Sequence, residues 1–146
     1  MNLDTYNLKS DSDQEVFEFE SVGVKGTIRK LVLFKETIFS GIYNLGFGDI
    51  DPDTGNIDDK VVSDNGDGEI VLSTVVTSIH KFFDKHPVAQ VYLSGSTKSR
   101  TRLYRIAINK YFEIFSSKFE IMGELDTHFE RFNKNTEYQG YLIRLK

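Results

Sequence analysis

Residues 69–85 read EIVLSTVVTSIHKFFDK, and the apolar pattern of this segment indicates a helix with one buried face. Its β-branched residues lower helix propensity, so tertiary packing has to hold the helix. Asp67 is suited to cap the start, and Pro87 ends the helix because the residue before a proline avoids the α region. The pattern therefore predicts a helix over 69–85. Its apolar positions recur at the spacing of one helix face: Leu72, Val75, Val76, Ile79, Phe82 and Phe83.

Strands are predicted on the N-terminal side of this helix, because apolar and polar residues alternate there with a period of two. Turn residues separate the runs, most densely in DPDTGN at residues 51–56, where proline, glycine, aspartate and asparagine favour a tight turn. The predicted strands cover residues 16–20, 27–35, 42–47 and, more briefly, 57–62.

The C-terminal half predicts a strand over 88–93, a helix over about 99–115, a strand over 119–122 and a strand over 138–146. Residues 125–135 are ambiguous, and the spacing of Phe129 and Phe132 suggests one helical turn. The order β-β-β-(β)-α-β-α-β-β indicates an α+β fold, a mostly antiparallel sheet with two packed helices. The residues expected in the core are Phe17, Leu31, Leu33, Leu45, Val75, Ile79, Leu103, Ala107 and Phe115.

The length of 146 residues suits one α+β domain over 14–146, preceded by a flexible or loosely docked leader over 1–13. The sequence has no cysteine, which excludes disulfides, thiolate nucleophiles and cysteine zinc sites. The start lacks the pattern of a targeting signal, and the apolar runs are too short to span a bilayer. We therefore expect a cytoplasmic protein that does not bind membranes.

Charge is distributed unevenly, although the net charge is only −4. Residues 49–69 hold eight acids and one base, whereas residues 85–112 hold six bases and no acid. A basic segment without acids is typical of a surface that meets anions.

The segment LSGSTKSRTRLYR at residues 93–105 places a small turn between a strand and a helix. Backbone N–H groups at a helix start, together with the helix dipole, form a ready anion site. The spacing of 4, 3 and 4 puts Lys98, Arg102, Arg105 and Asn109 on one helix face. The predicted phosphate-binding residues are Ser96, Thr97, Lys98, Ser99, Arg100, Arg102, Arg105 and Asn109.

Several interpretations of this segment stay open. The basic face can simply be solvated, or it can pair with the acidic 49–69 loops. It can also bind a protein partner, including a second copy of the chain. The function that the residues favour is a non-enzymatic binding module for phosphate-bearing ligands, with nucleic acid first among them. An enzyme acting on a phosphorylated small molecule is the remaining alternative. Tyr92, Tyr104 and Tyr111 could stack on bases, but their positions favour core packing.

No metal, cofactor or catalytic residue is predicted. The run Asp49-x-Asp51-x-Asp53 resembles the start of an EF-hand, which needs glycine at loop position 6 and glutamate at position 12. Those positions hold Thr54 and Lys60 when the loop starts at Asp49. The run is therefore interpreted as a solvated turn.

Three blocks resemble a family of small bacterial proteins of unknown function. They are GSTKSRTRLYR at residues 95–105, YNLGFGD at 43–49 and YQGYLI at 138–143. The resemblance covers nearly the whole chain. It implies a single domain and brings no activity with it.

Overall fold

The computed structural model describes residues 4–58, 64–95 and 97–146. The part of the predicted strand 57–62 beyond Asp58 lies outside these residues. The elements of the described chain, in order, are β1 (Lys9–Ser10), β2 (Val16–Gly23), β3 (Gly26–Glu36), β4 (Ile42–Ile50), β5 (Ile57–Asp58), α1 (Gly68–Lys85), β6 (Gln90–Leu93), α2 (Lys98–Lys110), α3 (Phe112–Lys118), β7 (Phe119–Glu124), β8 (Phe129–Arg131) and β9 (Gly140–Leu145).

The fold is α+β with a mostly antiparallel sheet, as the sequence predicts, but the described residues form three helices rather than two. Among the strand pairs whose register is described, only β4 and β6 run parallel. Contacts group the chain into two units, each made of two segments. In the described residues, no helix is long and apolar enough to cross a membrane. The first unit comprises Met1–Phe34 and Gly46–Lys85, and the second comprises Lys35–Leu45 and His86–Lys146.

The first unit contains α1 together with β2, most of β3 and the second half of β4. The ring of Phe82 on α1 stacks on Phe34, with ring centroids 4.3 Å apart. Phe17 and Phe34 are almost completely buried and meet edge to face. The helix ends at Lys85, as Pro87 predicts. Because its β-branched residues favour other conformations, this aromatic packing is what holds α1 in place.

The expected register of β3 is wrong by one residue. Val32 and Phe34 are buried, whereas Leu31 and Leu33 are only half-buried. Pairing of Phe17 with Val32 puts those two side chains on the same face of the sheet. The run LVLF is apolar at every position, so its pattern cannot say which face meets the helix. Leu103 is likewise half-buried rather than buried.

Tyr6 attaches residues 4–10 to the rest of the first unit. Its ring stacks on Phe19 with centroids 5.8 Å apart, and its hydroxyl donates to the Asp67 carboxylate at 2.6 Å. The Tyr6 backbone N–H donates to Thr74 at 2.9 Å. Asp67 also occupies the expected cap position, since its carbonyl accepts the first helical hydrogen bond from Val71. The described part of the leader is thus anchored at the start of α1.

The second unit is built around four strands in the order β4-β6-β9-β7, with β8 at the edge. Its helices α2 and α3 take the place of the single helix predicted over 99–115. The chain bends at Tyr111, where φ is −105° and ψ is 19°. The helical hydrogen bonds from Tyr111 to Ala107 and from Phe115 to Tyr111 persist across the bend, each at 3.0 Å. The predicted helix is therefore nearly continuous and kinked.

The helical turn suggested for residues 125–135 is wrong. Residues Phe129–Arg131 form β8, which pairs with β7 so that Phe129 lies opposite Glu124. A turn closed by the Leu125 N–H and the His128 carbonyl, 2.9 Å apart, connects the two strands. Two aromatic residues three apart were too short a pattern to distinguish a helix from an edge strand.

Candidate anion-binding cleft

The loop after β6 packs tightly against the start of α2 at Gly95. A Cβ atom at this position would lie 2.3 Å from the backbone nitrogen of Thr101. The Gly95 N–H donates to the Thr101 hydroxyl at 3.2 Å, which ties the loop to the first helical turn. Only a residue without a side chain allows this approach, so glycine fixes where the loop meets the helix.

Thr97 caps the N-terminus of α2. Its backbone is extended, with φ −132° and ψ 162°, and its hydroxyl accepts from the Arg100 N–H at 3.2 Å. The first turn of the helix contains no acid. The first-turn N–H groups have no carbonyl partner within a helix, and the dipole gives this end a partial positive charge. The helix start therefore favours a negative group.

An open cleft of about 620 Å³ lies over this helix start. We call it the basic cleft. Three cationic side chains, those of Lys98, Arg102 and Arg105, converge on it from one face of α2. Their spacing along the helix is the spacing that the sequence predicts for one face. The cleft is lined by Ser94, Gly95, Thr97, Lys98, Thr101, Arg102, Arg105, Glu137, Tyr138 and Gln139.

Four of the eight predicted site residues therefore line the basic cleft. Ser99, Arg100 and Asn109 are not part of the lining. Ser99 is exposed, Arg100 is half-buried, and the Asn109 amide donates to the Arg105 carbonyl at 2.8 Å. Ser96 lies outside the described residues. The structure thus brings together Thr97, Lys98, Arg102 and Arg105.

The opposite wall of the cleft comes from residues 137–139, just before β9. The Gln139 N–H donates to the Glu124 carbonyl at 2.8 Å, which attaches this wall to the end of β7. The Tyr138 ring packs over Gly123, where a Cβ atom would lie 2.4 Å from the ring. The sequence around residues 137–139 does not indicate a site, because only the pairing of β9 with its neighbours brings these residues close to the start of α2.

Tyr138 is held rigidly in this wall. Its hydroxyl donates to the Glu130 carboxylate at 2.8 Å and accepts from the Asn133 N–H at 2.9 Å. Burial, followed by the hydrogen bond to Glu130, raises the pKa of Tyr138. The side chain is therefore a neutral, fixed surface at neutral pH.

Arg105 forms the ion pair that spans the cleft. Its guanidinium lies 3.5 Å from the Glu137 carboxylate, and the Glu137 side chain is 85% exposed. An exposed pair at this distance contributes little to stability, because water screens it. An incoming anion can therefore displace Glu137 from Arg105 at small cost.

Tyr141 lies fully buried on β9. Arg105 and Tyr138, which line the cleft, both interact electrostatically with its hydroxyl. Burial raises the pKa of Tyr141 to about 12, an effect that the Arg105 charge opposes. Its hydroxyl has no hydrogen-bond partner among the described residues. Tyr138 and Tyr141 thus form a contrasting pair, one hydroxyl bonded twice and the other unbonded.

We expect the two tyrosines to respond oppositely to loss of the hydroxyl. Tyr141→Phe should raise the free energy of unfolding by about 1 kcal/mol, because a buried unsatisfied hydroxyl is costly. Tyr138→Phe should lower it by about 1 kcal/mol, because two hydrogen bonds are lost. Urea unfolding followed by circular dichroism measures both. Equal destabilisation by the two variants would show that the Tyr141 hydroxyl has a partner.

The acidic run in the first unit has contacts of its own. The Asp49 carboxylate accepts from the Lys30 ammonium at 2.5 Å, and both side chains are largely buried. The Asp51 carboxylate accepts from the Asp53 N–H at 2.9 Å within the turn. Across the described ranges 4–58, 64–95 and 97–146, no three histidine, aspartate or glutamate side chains cluster as metal ligands do.

The acidic run is therefore expected to hold no specific calcium ion. Asp49 is already neutralised by Lys30, and the carboxylate of Asp51 is used in its own turn. Melting curves recorded with and without millimolar calcium should coincide. A rise in Tm of several degrees with calcium would contradict this prediction, since a ligand that binds the folded state stabilises it.

Comparison with known proteins identifies a family but no activity. The model of DUF6934, a family of unknown function, matches residues 2–146. No significant match was found among curated proteins or among solved structures.

Proposed function

The chain belongs to the DUF6934 family, whose function is unknown, so we propose one from its own geometry: a non-enzymatic module that binds phosphate-bearing ligands, nucleic acid first among them. One observation supports this most strongly. Lys98, Arg102 and Arg105 converge over a helix N-terminus that has no acid in its first turn. Three side-chain charges and the dipole have the same sign there, and one exposed acid of the cleft, Glu137, lies against them beside Arg105. A bound anion relieves this repulsion.

The geometry of the cleft suits a phosphate group. Backbone N–H groups and the dipole at a helix start bind phosphate directly. Arginine adds a planar pair of donors that matches phosphate oxygens, and lysine adds a point charge. The hydroxyls of Ser94 and Thr101 line the same cleft as further polar groups. Each of these contacts is made to the phosphate and none requires a particular base.

An extended ligand fits the cleft better than an enclosed small molecule does. The cleft is open to solvent, and its cations lie along one helix face rather than around a closed cavity. A polyanion can lie along such a face, and its chain can continue into solvent at both ends of the cleft. A binding assay should therefore compare the affinity for oligonucleotides with the affinity for small phosphorylated molecules.

Arg102→Ala tests this function with little risk to folding. Arg102 is exposed, so the free energy of unfolding of the variant should differ from that of the wild type by no more than about 0.5 kcal/mol. Its affinity for all single-stranded sequences should fall alike, and the slope of log K against log salt should become less negative by about 0.7. Fluorescence anisotropy with labelled oligonucleotides at several salt concentrations measures both quantities.

Lys81→Ala is the matched control for this experiment. Lys81 is exposed on α1 and carries the same charge, but it does not line the basic cleft. It should leave the salt slope unchanged. If Lys81→Ala and Arg102→Ala weaken binding equally, net charge rather than the cleft is responsible. If Arg102→Ala lowers stability and leaves binding unchanged, the basic face has a structural role.

A protein-interaction module is the second candidate, and a specific observation favours it. Ile38 is 94% exposed and Val88 is 95% exposed, and Phe39 beside Ile38 is also exposed. These residues lie before the parallel strands β4 and β6, whose starting ends are joined by a hydrogen bond from Gln90 to Gly41 at 2.9 Å. Exposed apolar residues that lie together indicate a protein contact. If the wild-type protein self-associates and Ile38→Ser abolishes that association, the protein-interaction module becomes the first candidate.

A further inference from the structure

The sheet of the second unit has one face that α2 and α3 do not cover. Side chains on the helix face, such as Val91, Tyr141 and Ile143, are fully buried. Residues paired across strands point to the same face, so Tyr92 with Leu142, and Glu124 with Phe129, lie on the other side. These side chains are half-buried or exposed. We call this side the open face.

An aromatic pair stands on the open face. Tyr92 and Phe129 meet edge to face, with ring centroids 6.4 Å apart, and Phe129 is 41% exposed. Tyr92 reaches over Gly140 of the intervening strand, and its hydroxyl donates to the Glu124 carboxylate. A Cβ atom at Gly140 would lie 2.9 Å from both the Tyr92 and the Glu124 oxygens. Glycine at this position is therefore what allows the crossing.

The aromatic pair adjoins the basic cleft. Ser94 lines the cleft and is the first residue after β6, two residues beyond Tyr92. Burial raises the pKa of Tyr92, and the Ser94 side chain opposes this rise, so the two side chains are neighbours. On the other side, Gln139 of the cleft wall binds the backbone of Glu124. The cleft and the open face thus share an edge.

We propose that the ligand of the basic cleft is single-stranded nucleic acid, with one of its bases stacking on the Phe129 and Tyr92 rings. This inference rests on the proposed function and extends it by naming the strand state and a base contact. A duplex keeps its bases inside and offers no free ring, whereas an unpaired base stacks readily on an exposed aromatic side chain.

Charge separates the two parts of the ligand. Lys98, Arg102 and Arg105 attract phosphate at the cleft, while the Glu124 carboxylate repels it from the aromatic pair. A neutral base is not repelled, and a carboxylate can accept a hydrogen bond from an N–H group on the Watson–Crick edge of an unpaired base. The same charges disfavour an acidic peptide lying across both surfaces. Phosphate on one side and a base on the other is the arrangement that they favour.

The test compares a short oligothymidylate with an abasic oligonucleotide of equal length and equal charge. Wild-type protein should bind the oligothymidylate about 5- to 100-fold more tightly than the abasic strand at low salt, the range that stacking of one base provides. Phe129→Ala should bring the two affinities together and leave the salt slope unchanged. Phe129→Leu, which keeps an apolar side chain without a ring, should behave in the same way.

Phe39→Ala is the matched control, because Phe39 is an exposed phenylalanine of the same unit, 64% exposed, located before β4 and away from the cleft lining. It should not change the ratio of the two affinities. Equal wild-type affinities for both strands, with a normal salt slope, would overturn the base contact and leave the phosphate-binding function standing. Wild-type preference that survives Phe129→Ala and Phe129→Leu would also overturn it. Failure of both strands to bind would remove the proposed function itself.

Discussion

Gly95→Ala is expected to lower the free energy of unfolding by about 1–3 kcal/mol and to weaken nucleic-acid binding about tenfold or more. The added Cβ would lie 2.3 Å from the Thr101 nitrogen and 2.6 Å from the Arg100 Cβ, so the loop and the first turn of α2 must separate. Forcing a methyl group into a packed site costs about 1–3 kcal/mol. Loss of one charge-assisted contact at the shifted helix start corresponds to about tenfold in affinity.

Gly68→Ala is the control for this effect. Gly68 is the first residue of α1, and a Cβ atom there would meet nothing within 4 Å. Its substitution should change stability by no more than about 0.5–1 kcal/mol, in the stabilising direction, because alanine favours a helix more than glycine does. Urea unfolding and oligonucleotide titration on both variants separate the steric effect from the general effect of glycine. If Gly95→Ala is as stable as the wild type and binds the oligonucleotide equally well, the loop does not fix the helix start.

Ile79→Ala should lower the free energy of unfolding by about 2–5 kcal/mol. Ile79 is 2% exposed on α1, and truncation removes buried methyl groups and leaves a cavity beside the helix. Because α1 depends on packing more than on propensity, helix propensity does not compensate for the lost contacts. Chemical unfolding followed by far-ultraviolet circular dichroism measures the change.

Ile38→Ala provides the comparison for Ile79→Ala, since Ile38 is 94% exposed and loses almost no buried area. It should change stability by less than about 0.5 kcal/mol. Similar effects of the two substitutions would mean that the buried face of α1 has been assigned wrongly.

Sequence patterns predicted most of the elements because the local signals were strong. The spacing of apolar residues placed α1, and Pro87 placed its end. The predictions failed where the local pattern of apolar residues was ambiguous. The run around Leu31 and Leu33 is apolar on both faces, so only pairing with Phe17 selects the buried one. Phe129 could not be assigned to an edge strand until its partner Glu124 was known.

Half of the candidate site could be predicted in the same way. The cations of α2 lie within one short segment, so helical spacing alone grouped Lys98, Arg102 and Arg105. The second wall was not predictable, because Tyr138 and Gln139 reach the cleft through the pairing of β9 with β6 and β7. The open face is not predictable from the sequence either, because the pairing of strands decides which tyrosine is accessible. The sequence offers Tyr92, Tyr104 and Tyr111 alike as stacking residues, and the structure buries Tyr104 and Tyr111.

A salt titration of the wild-type protein with single-stranded oligonucleotide tests whether the basic cleft binds phosphate. If Lys98, Arg102 and Arg105 each contact a phosphate, the slope of log K against log salt should be about −2, from about −0.7 per contact on a single strand. Arg102→Ala should bring the slope to about −1.4. No measurable binding at low salt, or binding whose slope does not change with Arg102→Ala, would contradict phosphate binding in the basic cleft.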